Sequence, residues 1–208
     1  MISTLLQRIA ADALFYRRIL YGRDSGLLPL ISSILRSRGF WLLMFQRIAY
    51  FTTNQRNTRS LLWWTMRILE GIGVALSATA CRSEFMADCD IQGPLFLSNK
   101  GYYMFGALAV GSNCVIHHHV TFGMTVANGN TQRPTVGTNV WIGPHCVIAG
   151  DLHIGDGATV LPGTFLTFSV PPRSVVKGNP AKIWRRDYDN RTLRSSAKPV
   201  DDLPADTL

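Results

Sequence analysis

"VGTNVWIGPHCVIAGDLHIGDGATVLPG", residues Val136–Gly163, carries an apolar residue at every sixth position: Val136, Ile142, Ile148, Ile154 and Val160. The residue after each is often small, as at Gly137, Gly143, Ala149 and Gly155, and the fourth after each is small or apolar, as at Val140, Cys146, Leu152 and Ala158. An amphipathic helix repeats near 3.6 and a half-buried strand repeats at two, so neither produces this register. A hexapeptide period is the mark of a parallel β-helix. Each unit is a short strand and a turn, and three units close one coil. The aliphatic residue fills a narrow core and the small one lets the chain turn tightly. Stacked coils satisfy one another's backbone groups, so the unit is stable only as an array.

The register extends in both directions. Upstream lie Phe85, Ile91 and Leu97, then, after a one-residue slip, Met104, Val110, Ile116 and Phe122; downstream it reaches Leu166. The spacing predicts about four coils over residues 85–170, interrupted by a loop from Gly123 to Thr135. Cys114 and Cys146 fall at inward small-residue positions and read as core fillers. Units three apart stack, which puts Leu97, Ile116 and Ile142 on one face. His119 and His145 hold the same place in their units and should be neighbours about 5 Å apart. Outward apolar positions such as Phe122 and Trp141 predict packing against copies of the chain as a trimer.

Residues 1–80 change period. "GFWLLMFQRIAYF" sets Leu42, Phe45, Ile48 and Ala49 at helical spacing with Arg47 elsewhere on the wheel, and "SLLWWTMRILEGI" repeats the pattern with Leu62, Met66 and Leu69. The expected division is a helical region over 1–80, a β-helix over 81–184 and a polar, disordered tail over 185–208. "LLWWTMRILEGIGVALSATA" is the nearest approach to a membrane span, but Arg67 and Glu70 interrupt it, so it reads as a buried amphipathic helix, with an interfacial helix as the lesser alternative. The net charge is +8 in 208 residues, and no lysine precedes Lys100. Arg17, Arg18, Arg36, Arg38 and Arg47 read as a basic, solvated helical face; no nucleic-acid-binding module is recognisable. Four cysteines without a CxxC pair, and an N-terminus that makes a poor secretory signal, predict reduced thiols in a cytoplasmic protein.

The hexapeptide array, the loop "GMTVANGNTQRPTVG" and the closing "VPPRSVVKGNPAKIW" resemble the left-handed β-helix acyltransferases, and "RGFWLLMFQRIAYF" resembles the entry helices of serine acetyltransferases. The resemblance covers roughly residues 35 to 185. It implies a mainly β fold, a left-handed parallel β-helix behind a helical subdomain. It implies an acetyl-CoA-dependent O-acetyltransferase acting on L-serine or a related small acceptor, with a sugar or polysaccharide hydroxyl, or a non-catalytic assembly role, as alternatives. It also implies a trimer, or a dimer of trimers, with each active site between two β-helices. Cofactor contacts would fall to Gly143, Ala149, Lys177, Gly178, Asn179, Pro180 and Lys182, with Lys182 near a CoA phosphate. The family's Asp-His pair after the aliphatic at Leu97 is replaced by Ser98 and Asn99, and its loop histidine before proline is replaced by Arg133; these three are the acceptor-side candidates.

A hydroxyl acceptor needs a base, and imidazole suits that work. "IHHHV" offers His117, His118 and His119 one coil above Ser98 and Asn99. His118 is favoured, being turn-adjacent and outward, and His117 follows. Strand alternation would let His117 and His119 share a face that His118 cannot. His119 with His145 would give a metal two ligands, but no free carboxylate or thiolate completes a tetrahedral site, so no metal is expected.

Overall fold

The computed structural model describes residues 2–22, 26–54, 61–80, 82–127 and 129–195. Helices α1 (Ile2–Tyr21), α2 (Leu27–Arg36), α3 (Arg38–Asn54) and α4 (Leu61–Ala80) precede a parallel β-solenoid, and a one-turn helix α5 (Arg191–Arg194) follows it. The solenoid makes about five turns rather than four and has three faces. The first holds Glu84–Phe85, Met104–Phe105, Thr121–Gly123, Val147–Ala149 and Phe165–Leu166. The second holds Asp90–Ile91, Ala109–Val110, Thr135–Val136 and His153–Ile154, with Val170 bridged above. The third holds Leu95–Leu97, Cys114–Ile116, Trp141–Ile142, Thr159–Val160 and Val175–Lys177, closed by an antiparallel strand Lys182–Arg185.

Each face stacks one inward column. Phe85, Phe105, Phe122, Ile148 and Leu166 are paired on the first, and Leu97, Ile116, Ile142, Val160 and Val176 on the third. The columns follow the hexapeptide register with one correction. Met104 is 53% exposed and Phe105 takes the inward place. Phe105 lies between Phe85 and Phe122 with ring centroids 5.0 and 4.6 Å away, so aromatic packing absorbs the irregular spacing. Phe122 and Trp141, expected outside, are both buried. The interruption after Gly123 is a small hairpin, Thr125–Ala127 against Asn130–Gln132. Cys89, Cys114 and Cys146 are buried free thiols, pushed up to about 12 by burial; Cys81 lies outside the described residues.

The helices seat on the first coil through polar groups that sequence periodicity did not single out. Asp12 Oδ1 accepts from Leu95 N at 3.1 Å. One turn on, the Tyr16 hydroxyl donates to Leu97 O and accepts from Leu97 N, each at 2.9 Å. Gly39 lies so close that a Cβ there would overlap the Leu97 carbonyl. Arg47, placed on a solvated face by the sequence, is 3% exposed. It pairs with Asp12 at 3.0 and 3.1 Å and donates to the carbonyls of Ile91 and Gly93. Burial pushes the Asp12 carboxyl up despite Arg47 beside it, so geometry and backbone partners, not net electrostatics, account for this pair.

Two other expectations change. Helix α4 is not buried: Leu61, Trp64, Ile68, Leu69, Ile72 and Leu76 are exposed along it. No single helix among the described residues is long and apolar enough to cross a membrane. The tail is ordered as far as Ser195, because Asn190 and Leu193 are buried; residues 196–208 lie outside the described residues.

Replacing Asp12 with alanine leaves a buried guanidinium unpaired and should cost about 3–5 kcal/mol of unfolding free energy in a urea titration. Asp12→Leu combined with Arg47→Met should recover much of that loss, since it removes both charges together.

Candidate active site

The third face meets the first at a corner built from the residues that follow each inward aliphatic. Ser98 N donates to Ile116 O, His117 N to Ile142 O, Gly143 N to Val160 O and Leu161 N to Val176 O, all at 2.8–3.1 Å. These bonds make one vertical column of Ser98, His117, Gly143, Leu161 and Lys177. Three strand spacings, roughly 14 Å, separate its His117 and Lys177 levels. The acceptor candidate Ser98, the histidine His117 and the cofactor candidates Gly143 and Lys177 therefore share one edge. Gly143 has a packing reason of its own, since a Cβ there would meet Pro162 N at 2.8 Å. Gly178, Asn179 and Pro180 turn the closing hairpin, the Lys177 ammonium lies 4.1 Å from the Trp184 ring centroid, and Lys182 is exposed.

The chain then turns through left-handed residues stacked turn over turn: Tyr102, His119, His145 and Gly163, at φ of 64°, 57°, 60° and 69°. Their rings form a ladder. Tyr102 stacks on His119 at 4.3 Å and His119 on His145 at 4.6 Å, nearly parallel in both cases. The expected neighbours are therefore adjacent. His118 stands edge-on to both His119 and His145 at 5.5 Å.

The expected pairing of His117 with His119 fails. Strand geometry ends at Ile116, so alternation does not carry into the turn. His117 instead packs against Trp141, ring centroids 5.0 Å apart, and its Nε2 is buried without a hydrogen-bond partner. Burial, then the charges of His118 and Lys100, bring the His117 imidazole down to about 4. Burial, Lys100 and the two neighbouring histidines bring His118 to about 4 as well. Burial and His145 lower His119. All three rings are thus neutral near pH 7, and no carboxylate accepts a hydrogen bond from them among the described residues. No cluster of three metal-ligating side chains occurs among the described residues.

On the acceptor side, Tyr103 donates its hydroxyl to Ser98 O at 2.9 Å and to Ser98 Oγ at 3.2 Å. Asn99 Oδ1 accepts from Gly39 N at 3.4 Å. Arg133 is elsewhere. Its guanidinium is bound to Gly106 O, Ala107 O and Asp88. With Ala149 it lies at the opposite edge of the first face, so one chain does not bring these two to the histidines. Lys100, Tyr102 and Tyr103 escaped the sequence reading. The misplaced register at Met104 hid that Tyr102 occupies the same turn position as His119.

The family model described as "Bacterial transferase hexapeptide (six repeats)" matches residues 133–167. The chain is 31% identical to serine acetyltransferase 2 of Arabidopsis thaliana over 78% of its own length and 48% of the relative's. It is 26% identical to a Synechococcus elongatus serine acetyltransferase over 88% and 70%. It spans about half the length of the plant relatives it matches. Among solved structures, a Neisseria gonorrhoeae serine acetyltransferase superposes with a TM-score of 0.70 at 22% identity, over 91% of this chain and 68% of that one. A soybean serine acetyltransferase complexed with serine superposes with a TM-score of 0.66 at 25% identity, over 88% and 70%.

The ladder residues carry a backbone cost that alanine exposes. His119→Gly and His145→Gly should each unfold about 1 kcal/mol later than the matching alanine variants, because only glycine takes φ near +60° freely. Urea titrations of the four proteins measure the difference.

Proposed function

We propose that this chain, a hexapeptide-repeat protein of serine acetyltransferase-like sequence and fold, transfers the acetyl group of acetyl-CoA to a small hydroxyl acceptor, L-serine first. The observation that carries the reading is the column running from Ser98 through His117 and Gly143 to Lys177. It aligns the polar Ser98, an imidazole and the closing hairpin along one edge, a separation that an extended pantetheine arm covers. The serine acetyltransferase relatives favour this over a scaffold role and over a sugar acceptor.

In this reading the acceptor hydroxyl lies near Ser98 and Asn99, and His118 takes its proton as the oxygen attacks the thioester carbonyl. Backbone N–H groups stabilise the tetrahedral oxyanion. Collapse breaks the C–S bond, and the imidazolium returns the proton to the departing thiolate. His118 is preferred because it is partly exposed, neutral and flanked by two rings that fix it. His117 is second: its unpaired Nε2 needs a partner, but little of its ring is accessible. A trimer would set the Arg133 edge of one copy against the histidine edge of the next, and completes the reading. Buried, unpaired thiols support a cytoplasmic setting.

The test is release of CoA from acetyl-CoA with L-serine and a panel of sugar hydroxyls. His118→Ala should keep acetyl-CoA affinity and lose about 10²–10⁴-fold in turnover. His117→Gln, which avoids a cavity beside Trp141, should lose less. Unchanged turnover in both variants would remove the histidines from the chemistry, and failure to bind acetyl-CoA would remove the reading.

The pH profile gives a separate check. The base works unprotonated, and burial and Lys100 lower His118, so the acid limb of kcat/KM should fall near pH 4 rather than near 6.5. Lys100→Gln removes a nearby positive charge and should move that limb upward.

A further inference from the structure

The corner between the second and third faces carries a different chemistry. Two adjoining cavities, about 470 and 390 Å³, meet there between the end of α1 and α5, sharing Asn139, Arg191 and Arg194. Four arginines line them, Arg18, Arg173, Arg191 and Arg194, against two aspartates, Asp156 and Asp189. Both aspartates are engaged. Asp156 Oδ1 accepts from Thr138 N at 2.6 Å and Thr138 Oγ1 at 3.0 Å. Asp189 accepts from Arg191 N at 3.1 Å and pairs with its guanidinium at 3.3 Å. Arg18 and Arg194 form no ion pair among the described residues.

Arg194 is positioned rather than loose. Its Nε donates to Asn190 Oδ1 at 2.8 Å. Asn190 is itself buried, and its Nδ2 donates to the carbonyls of Asn139, Gly157 and Ala158 at 2.9–3.2 Å. A buried amide thus fixes one guanidinium to the rigid corner while Arg18 approaches from α1. Burial lowers the proton affinity of Arg194, and the charges of Arg18 and Arg191 lower it further, with Asp189 and Cys114 opposing. This uncompensated positive charge is what an anion would neutralise. Guanidinium forks match phosphate oxygens in geometry, and the neutral donors Asn113, Thr192 and Ser195 border the same cavity.

We propose that this groove binds a soluble phosphate-bearing metabolite at a site separate from the histidine edge, linking α1 to the C-terminal segment. The third face stands between the two corners, so an occupant of one does not touch the other within a chain.

The experiment is calorimetric titration of the full chain with inorganic pyrophosphate at constant ionic strength, alongside acetyl-CoA. Saturable binding near one pyrophosphate per chain is expected, with a rise in melting temperature. Arg18→Gln and Arg194→Gln should each weaken it by about tenfold, the loss of one charge-assisted contact. Arg18 takes no part in the Asn190 contacts, so its variant reads the site without disturbing the corner. Acetyl-CoA affinity should be unchanged in Arg18→Gln. No saturable binding at millimolar pyrophosphate, or binding that survives both substitutions, overturns the proposal. Competition between pyrophosphate and acetyl-CoA, with both weakened in Arg18→Gln, would merge the groove with the cofactor site and overturn its separateness.

Discussion

Every turn of a parallel solenoid offers its backbone N–H and C=O groups to the turns above and below, and the first turn has nothing below it. An open strand edge of that kind invites pairing with another chain. Here helices cover it with side chains. Asp12 and Tyr16, four residues apart and so on one face of α1, bond alternate residues Leu95 and Leu97 of the lowest strand of the third face. Arg47 and Gln46 take carbonyls of the same coil at Ile91, Gly93 and Cys89. The upper end is closed differently, by the antiparallel strand Lys182–Arg185. The helical half is thus the lower cap of the solenoid as well as a separate packing layer.

With both ends fixed, vertical register determines what the corners present. A residue one place beyond an inward aliphatic repeats at every turn of the third face, and a left-handed residue repeats a little further on. Left-handed backbone favours Gly, Asn, Asp and His. One corner uses Tyr102, His119, His145 and Gly163; another uses Asn113, Asn139, Gly157 and Arg173. The histidines at the first corner therefore serve two purposes, since they meet a backbone requirement and also form a ring stack. Beside them, burial and Lys100 hold the imidazoles of His117 and His118 neutral, a state that accepts a proton without needing a carboxylate partner.

Two corners of the same prism diverge chemically because different segments cover them. The histidine corner lies beside the loop that follows Leu97. The arginine corner is roofed by α1 and the segment after Arg186, and Asn190 joins that segment to three carbonyls of the solenoid. The polar composition of residues 185–195 reads as unstructured in sequence, yet one buried amide and Leu193 are enough to order it.

The sequence by itself determined the solenoid, its three faces, the break after Gly123, the burial of Cys114 and Cys146, and the contact of His119 with His145. All of these follow from a strict period, and a period survives without knowledge of the neighbours. Only the tertiary structure decided where the period slips, because Phe105 rather than Met104 is chosen by the aromatic rings above and below it. It likewise decided that Arg47 is buried, that His117 faces Trp141 and that Arg133 clamps Gly106 and Ala107. Each of those outcomes depends on a partner distant in the chain, and no local spacing encodes which buried carbonyl or carboxylate a long polar side chain will reach.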